Sequence, residues 1–186
     1  MKVAITGHSA GIGQAISKVF ENNGHEIVGL SRRNGYNIRN IPKIVKQISP
    51  CDLFINNAQD GFAQTELLFA VYKEWKGVNN KTIINISTMM VDLPVPYGYN
   101  QETHFDFIQY YVQKKTLEHS VEQLLLLQDW PRLLIAKPGG VKTQDYHPNY
   151  FADPDEWANK FYDLFYNQNN LEITSFGLNF KMFNNG

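Results

Sequence analysis

The sequence predicts an α/β fold, a doubly wound and mostly parallel sheet covered by helices on both faces in three layers. Three observations carry that prediction. Short apolar runs of three to five residues alternate with longer segments of helical periodicity, as crossovers between parallel strands require. The first run, Val3-Ala4-Ile5, passes through Thr6-Gly7 into a glycine-rich turn and then directly into an amphipathic segment. The strand ends are also the most polar and glycine-rich points of the chain, and open parallel sheets bind ligands at the carboxyl ends of their strands.

The elements follow in order. The opening strand feeds a helix over residues 14–23, and the turn Asn23-Gly24-His25 precedes a strand at residues 26–30 that ends in Ser31-Arg32-Arg33. Asn34-Gly35 marks a turn, and Tyr36-Asn37-Ile38 reads as a very short third strand. Ile41, Ile44, Val45 and Ile48 have helical spacing, with Pro42 in the first turn and Pro50 as the stop. A strand at residues 52–55 ends in Asn56-Asn57-Ala58, a helix covers residues 65–76, and a β-branched strand at residues 82–86 ends in Ser87-Thr88. Residues 89–105 read as an irregular loop. A long helix follows over residues 106–128, with Val112, Leu117, Val121, Leu124 and Leu125 on its apolar face. The strand at residues 132–136 leads into Lys137-Pro138-Gly139-Gly140, a helix begins at Pro154, and a last strand is expected at residues 171–174. No repeat or linker divides the chain, so residues 1–186 form one domain.

Composition excludes several function classes. A chain of 186 residues with 43% apolar and 19% charged residues buries an ordinary core. A net charge of −1 favours neither nucleic acid nor an acidic membrane surface. Cys51 is the sole cysteine, which excludes an internal disulfide framework and suits a reducing compartment. No apolar run has the length of a signal peptide or a membrane span, so a cytoplasmic protein is expected. The five histidines are scattered without metal-ligand spacing, and no metal is expected.

The opening loop has chemistry of its own. Its spacing is G-x3-G-x-G, over Gly7, Gly11 and Gly13. Glycine there admits positive φ and lets backbone N–H groups approach a phosphate, and the following helix dipole attracts the same charge.

Four motifs in this order resemble the short-chain dehydrogenase/reductase family. Residues 6–13, Thr6-Gly7-His8-Ser9-Ala10-Gly11-Ile12-Gly13, match its T-G-x3-G-x-G. Asn56-Asn57-Ala58 matches the start of N-N-A-G, with Gln59 in place of the glycine. Tyr110 and Lys114 match Y-x3-K, and Pro138-Gly139-Gly140-Val141-Lys142-Thr143 matches P-G-x3-T. Tyr111 with Lys115 is an alternative pair; Leu117, seven after Tyr110 where the family places an apolar residue, favours Tyr110.

The resemblance implies a Rossmann-like fold with one helix of the usual set missing, since Arg33 and Tyr36 leave no room for it. It implies a hydride transfer between NADP and a small carbonyl or alcohol substrate, with Tyr110 as general acid/base. Lys114 would lower the phenol pKa and bond the nicotinamide ribose. Thr88 would steady the substrate oxygen, with Ser87 as the fallback. Gly7, Ser9, Gly11, Ile12 and Gly13 would hold the pyrophosphate, Asn57, Ala58, Pro138, Gly139 and Val141 would bind the cofactor, and the Thr143 hydroxyl would hold the nicotinamide carboxamide. Asn37-Ile38 resembles the pair beside the adenine. Ser31, Arg32 and Arg33 stand where NAD-preferring members carry an acid, so NADPH is expected over NADH. Family members form homodimers or homotetramers through the helices at residues 65–76 and 106–128.

The chain departs from the pattern in being short and in carrying an insertion at residues 89–105. Residues 58–78 also lack the family's catalytic asparagine; Asp60 lies near its slot and Gln64 is the available stand-in. A catalytically idle NADP-binding sensor or regulator on the same fold is the alternative.

Overall fold

The computed structural model describes residues 1–93, 106–127, 129–144, 151–166 and 175–178. Six strands form one parallel sheet: β1 (Lys2–Thr6), β2 (Glu26–Leu30), β3 (Leu53–Asn56), β4 (Thr82–Ile86), β5 (Arg132–Pro138) and β6 (Ser175–Leu178). Their order is β2-β1-β3-β4-β5-β6, with crossovers leaving β1 in opposite directions. The helices are α1 (Gly11–Asn22), α2 (Ile41–Ile48), α3 (Ala63–Trp75), α4 (Phe107–Leu125) and α5 (Pro154–Tyr166).

Side chains that alternate along each strand build two cores. Val3, Ile5, Ile55, Ile84 and Leu134 face α1 and α5, where Phe20 meets Phe161 and Tyr162. Ala4, Phe54, Ile83, Leu133 and Ile135 face α2, α3 and α4 through Ile44, Leu68, Val71, Trp75, Leu117 and Val121. The three-layer expectation holds.

Two expectations need correction, and a third falls on residues outside the described ones. Tyr36-Asn37-Ile38 is not a strand. The Asn40 amide bonds the Asn37 carbonyl at 2.9 Å and the Arg39 amide bonds the Asn37 side chain at 2.9 Å, so the segment folds into a turn. The Asn40 side chain then caps α2, and β2 is left as the edge strand. The last strand is Ser175–Leu178; the expected span 171–174 lies outside the described residues, as do residues 94–105 of the insertion. Val112 is 45% exposed rather than part of the apolar face. The buried stripe of α4 is Gln113, Lys114, Leu117, Glu118, Val121 and Leu124, whose spacing of three and four residues leaves Val112 on the other side.

The glycine loop is an example of close backbone packing. Gly7 sits at φ +72°, in the left-handed region. A Cβ on Gly13 would lie 2.4 Å from the Gly7 carbonyl oxygen and 2.5 Å from Asn57 Nδ2. Since the nearest obstacle is backbone, Gly13→Ala is expected to destabilise the protein by about 1–3 kcal/mol in urea unfolding.

Candidate active site

A cleft of about 760 Å³ opens at the carboxyl ends of β1, β2 and β3 beside the start of α4. Gly7, Ser9, Ser31, Arg32, Arg33, Asn37, Ile38, Ala58 and Tyr110 all line it. The chain brings these predicted residues together because parallel strands place every strand end on one rim.

The rim is stitched by backbone contacts. The Gly7 amide donates to the Leu30 carbonyl at 2.7 Å. Thr6 Oγ1 accepts from the amides of Asn57 and Ala58 at 3.0 and 3.1 Å, and Asn57 Nδ2 donates to the Thr6 carbonyl at 2.9 Å. The Asn57 side chain therefore locks β3 to β1. Gly11, Ile12 and Gly13 form the first turn of α1 behind the cleft. Thr143 stands against the loop: a Cβ on Gly11 would come within 3.2 Å of its methyl carbon. The Gly139 amide bonds the Leu178 carbonyl, and Val141 bridges to Ala152, so Pro138 and its neighbours are held at the far end of the sheet.

At the β2 end of the cleft, Arg33 donates to the Ser9 carbonyl at 3.0 Å. Arg39, which sequence reasoning missed, makes two 2.7 Å bonds to Asp60 across the rim. That contact holds the Asp60 carboxyl below its usual range. Asp60, near the slot of the family's asparagine, is therefore taken up by Arg39. At the middle of the cleft the Gln59 amide donates to Gln113 of α4, which joins two elements where the family has glycine on one side.

The other end of the cleft is built on α4. Tyr110 and Lys114 are one helical turn apart, and the Lys114 ammonium lies 5.7 Å from the Tyr110 ring centroid. Tyr110 lines the cleft and Tyr111 does not. The Thr88 hydroxyl hydrogen-bonds the Tyr110 phenol. Thr88 also accepts from the Met90 amide at 3.3 Å, in a short 3-10 turn over Met89–Asp92. Ser87 points the other way. It is buried and donates to Glu118, whose second oxygen pairs with Lys137 at 2.9 Å. Lys137 also bridges to Asp92 at 3.0 Å. The structure thus presents Thr88 to the phenol and leaves Ser87 in a support network.

Lys114 is 3% exposed. Its Nζ donates to Gln64 Oε1 at 2.9 Å and to the Ile86 carbonyl at 2.8 Å. Burial pushes the ammonium down to about 7, against the opposing pull of Glu118. Burial raises the Tyr110 phenol, and the Thr88 hydrogen bond partly offsets that. The expectation that Lys114 depresses the phenol is therefore corrected for this structure. A lysine drawn down to about 7 is only partly charged at neutral pH, so it supplies less positive charge to the phenol.

Among known proteins, no family model matches the chain, and no curated protein matches its sequence. Solved structures match its fold over nearly its whole length. A short-chain dehydrogenase from Burkholderia cenocepacia in complex with NADP superposes with a TM-score of 0.76, at 14% identity over 96% of this chain and 88% of that one. Serine dehydrogenase from Escherichia coli gives 0.72, at 18% identity over 96% and 97%. An alcohol dehydrogenase from Thermococcus sibiricus complexed with 5-hydroxy-NADP gives 0.71, at 16% identity over 96% of each chain. The protein has the Rossmann-like fold of the short-chain dehydrogenase/reductases, in a divergent form. No helix among the described residues is long and apolar enough to cross a membrane.

The lysine makes stability pH-dependent. Below pH about 7 the ammonium is charged in both folded and unfolded chains, and the fold bears the full cost of burying it. Between about 7 and about 10 the unfolded chain holds a proton that the folded one has released, so this contribution to stability rises with pH. Urea unfolding at pH 6.5 and 9 is expected to show that rise in the wild type and its loss in Lys114→Met.

Proposed function

We propose that the chain is a divergent short-chain dehydrogenase/reductase. It transfers hydride between NADP and a small carbonyl or alcohol, prefers NADPH over NADH, and uses Tyr110 as general acid/base. The observation that carries this reading is the Tyr110 phenol on the cleft wall, bonded to Thr88 and one turn from a buried Lys114. A binding protein has no need of that trio.

The residues fit the dinucleotide. Gly7, Ser9 and Ala10 line the cleft at the N-terminus of α1, whose dipole suits a pyrophosphate. Arg32 and Arg33 on the cleft wall suit a ribose 2′-phosphate, and Ser31 offers no repulsive charge there. Asn37, Ile38 and Ala58 surround the adenosine end. Thr143, next to Gly11, suits the carboxamide end.

When bound, NADPH supplies a hydride to the carbonyl carbon. Tyr110 supplies the proton to the carbonyl oxygen. Its raised pKa keeps the phenol protonated at neutral pH, the form that reduction needs. Thr88 orients the phenol and offers a hydroxyl to the same oxygen. Lys114, with two N–H groups held by Gln64 and Ile86, would have its third left for a ribose hydroxyl. The protein is read as a cytoplasmic enzyme. Ile108 and Val112, apolar and exposed on α4, and Phe69, exposed on α3, support self-association through these helices.

NADPH oxidation against aldehydes, ketones and quinones tests the activity. Tyr110→Phe is expected to lower kcat by about 10²–10⁴-fold while NADPH still binds. Tight NADPH binding with no turnover on any substrate would instead identify an idle NADP-binding sensor or regulator. Replacing Arg32 and Arg33 together with alanine is expected to remove the preference for NADPH, read as the ratio of Kd values for NADPH and NADH. An unchanged ratio would show that neither guanidinium meets the 2′-phosphate.

A further inference from the structure

We propose that Gln64 is the residue that positions Lys114, through a carboxamide locked with its oxygen toward the ammonium. The proposal deepens the reading of Tyr110 and Lys114 as the reacting pair and rests on it. Gln64 lies in the first turn of α3 and is 2% exposed. Its Nε2 donates to the Asn56 carbonyl at 2.7 Å and to the Ile86 carbonyl at 3.0 Å. Both N–H bonds are thus engaged by carbonyls that only accept, and Oε1 is the atom left to face Lys114 at 2.9 Å. The flipped amide would set an oxygen against two carbonyls and N–H groups against an ammonium.

The residue is also held at its backbone. The Gln64 carbonyl accepts from Asn56 Nδ2 at 2.9 Å, and Asn56 Nδ2 bonds Asn85 Oδ1 at 3.0 Å in the neighbouring strand. Three elements, β3, β4 and α3, therefore converge to aim one neutral acceptor at a lysine on α4. The Ile86 carbonyl serves Gln64 and Lys114 together, which fixes the distance between them. The charges facing Lys114 come from elsewhere. Glu118 lies one turn along α4 and is engaged by Ser87 and Lys137; Lys137 on β5 in turn holds Asp92. Tyr110 lies on the other side. Gln64, Asn56 and the Ile86 carbonyl contribute dipoles without charge.

An amide neither gains nor loses a proton near neutral pH, so this acceptor stabilises the charged lysine at every working pH. A hydrogen bond to a charged group in a dry site is among the stronger ones. Without it, Lys114 keeps a single acceptor and the balance tips toward the free amine.

The test follows the Lys114 Cε resonance through a pH titration of ¹³C-lysine-labelled protein, the signal being assigned by its loss in Lys114→Met. Gln64→Met, similar in length and without an acceptor oxygen, is expected to lower the midpoint by about one pH unit, tenfold in proton affinity. Gln64→Glu keeps an oxygen in place and is expected to return the midpoint to the wild-type value or above it. Should Gln64→Met fail to fold, Gln64→Asn, which draws the amide back by one methylene, carries the same expected fall. In the same proteins kcat is expected to fall by about 10–100-fold with Gln64→Met, with a smaller change in the KM for NADPH. Equal midpoints in folded wild type and the acceptor-removing variant overturn the proposal. If the wild type turns over no carbonyl, the functional reading fails, while the titration still decides the role of Gln64.

Discussion

Burying a lysine ammonium is the constraint around which α3, α4 and the end of β4 are arranged. Transfer of such a group out of water is costly unless oxygen acceptors replace its hydration shell. Lys114 has two, the Gln64 amide and the Ile86 carbonyl. Each acceptor belongs to a different element, so the end of β4, the start of α3 and the middle of α4 must meet at one point. The asparagines of β3 and β4 face the same side because strand side chains alternate: Asn56 follows Phe54, and Asn85 follows Ile83, on the face that packs α3 and α4. The polar network thus continues the apolar core upward and replaces it where the sheet reaches the cleft.

The same burial changes the chemistry expected of the pair. In water a lysine is charged and a phenol is an easy partner for it. Here the lysine is drawn down to about 7 and the phenol is raised, both because the site is dry. A protonated phenol held by Thr88 is suited to giving a proton rather than taking one. Glu118 tempers the effect on Lys114, and its other bonds to Ser87 and Lys137 keep it in place. Ser87, Glu118, Lys137 and Asp92 therefore form a connected network beneath Lys114.

The opposite end of the cleft follows a different rule. There the chain relies on backbone packed too closely to admit a Cβ, and on arginines that remain partly in water. Thr6 and Asn57 tie β1 to β3, and Gly13 rests against Gly7, so the loop is rigid before any ligand arrives. Arg39 is neutralised by Asp60, whereas Arg32 and Arg33 flank the edge strand β2. The missing third strand matters here. With β2 at the edge of the sheet, the arginines sit on an open rim.

Local sequence determined the order of strands and helices, the glycine loop and the spacing of Tyr110 and Lys114. These depend on residue type and on period, which a chain displays without folding. The parallel sheet followed too, since alternating strands and helices leave few other ways to cover both faces. Tertiary structure put Tyr110, the tyrosine that Leu117 already favoured, on the cleft wall, because the phase of α4 is set by what it packs against. It also turned Tyr36-Asn37-Ile38 into a turn, where side-chain hydrogen bonds outcompete a strand too short to pair. Gln64 was visible only as a candidate: its role rests on contacts between residues 8, 22 and 50 positions apart in the chain. The shifts of Lys114 and Tyr110 belong to the same class, because burial is a property of the assembled fold and no single residue carries it.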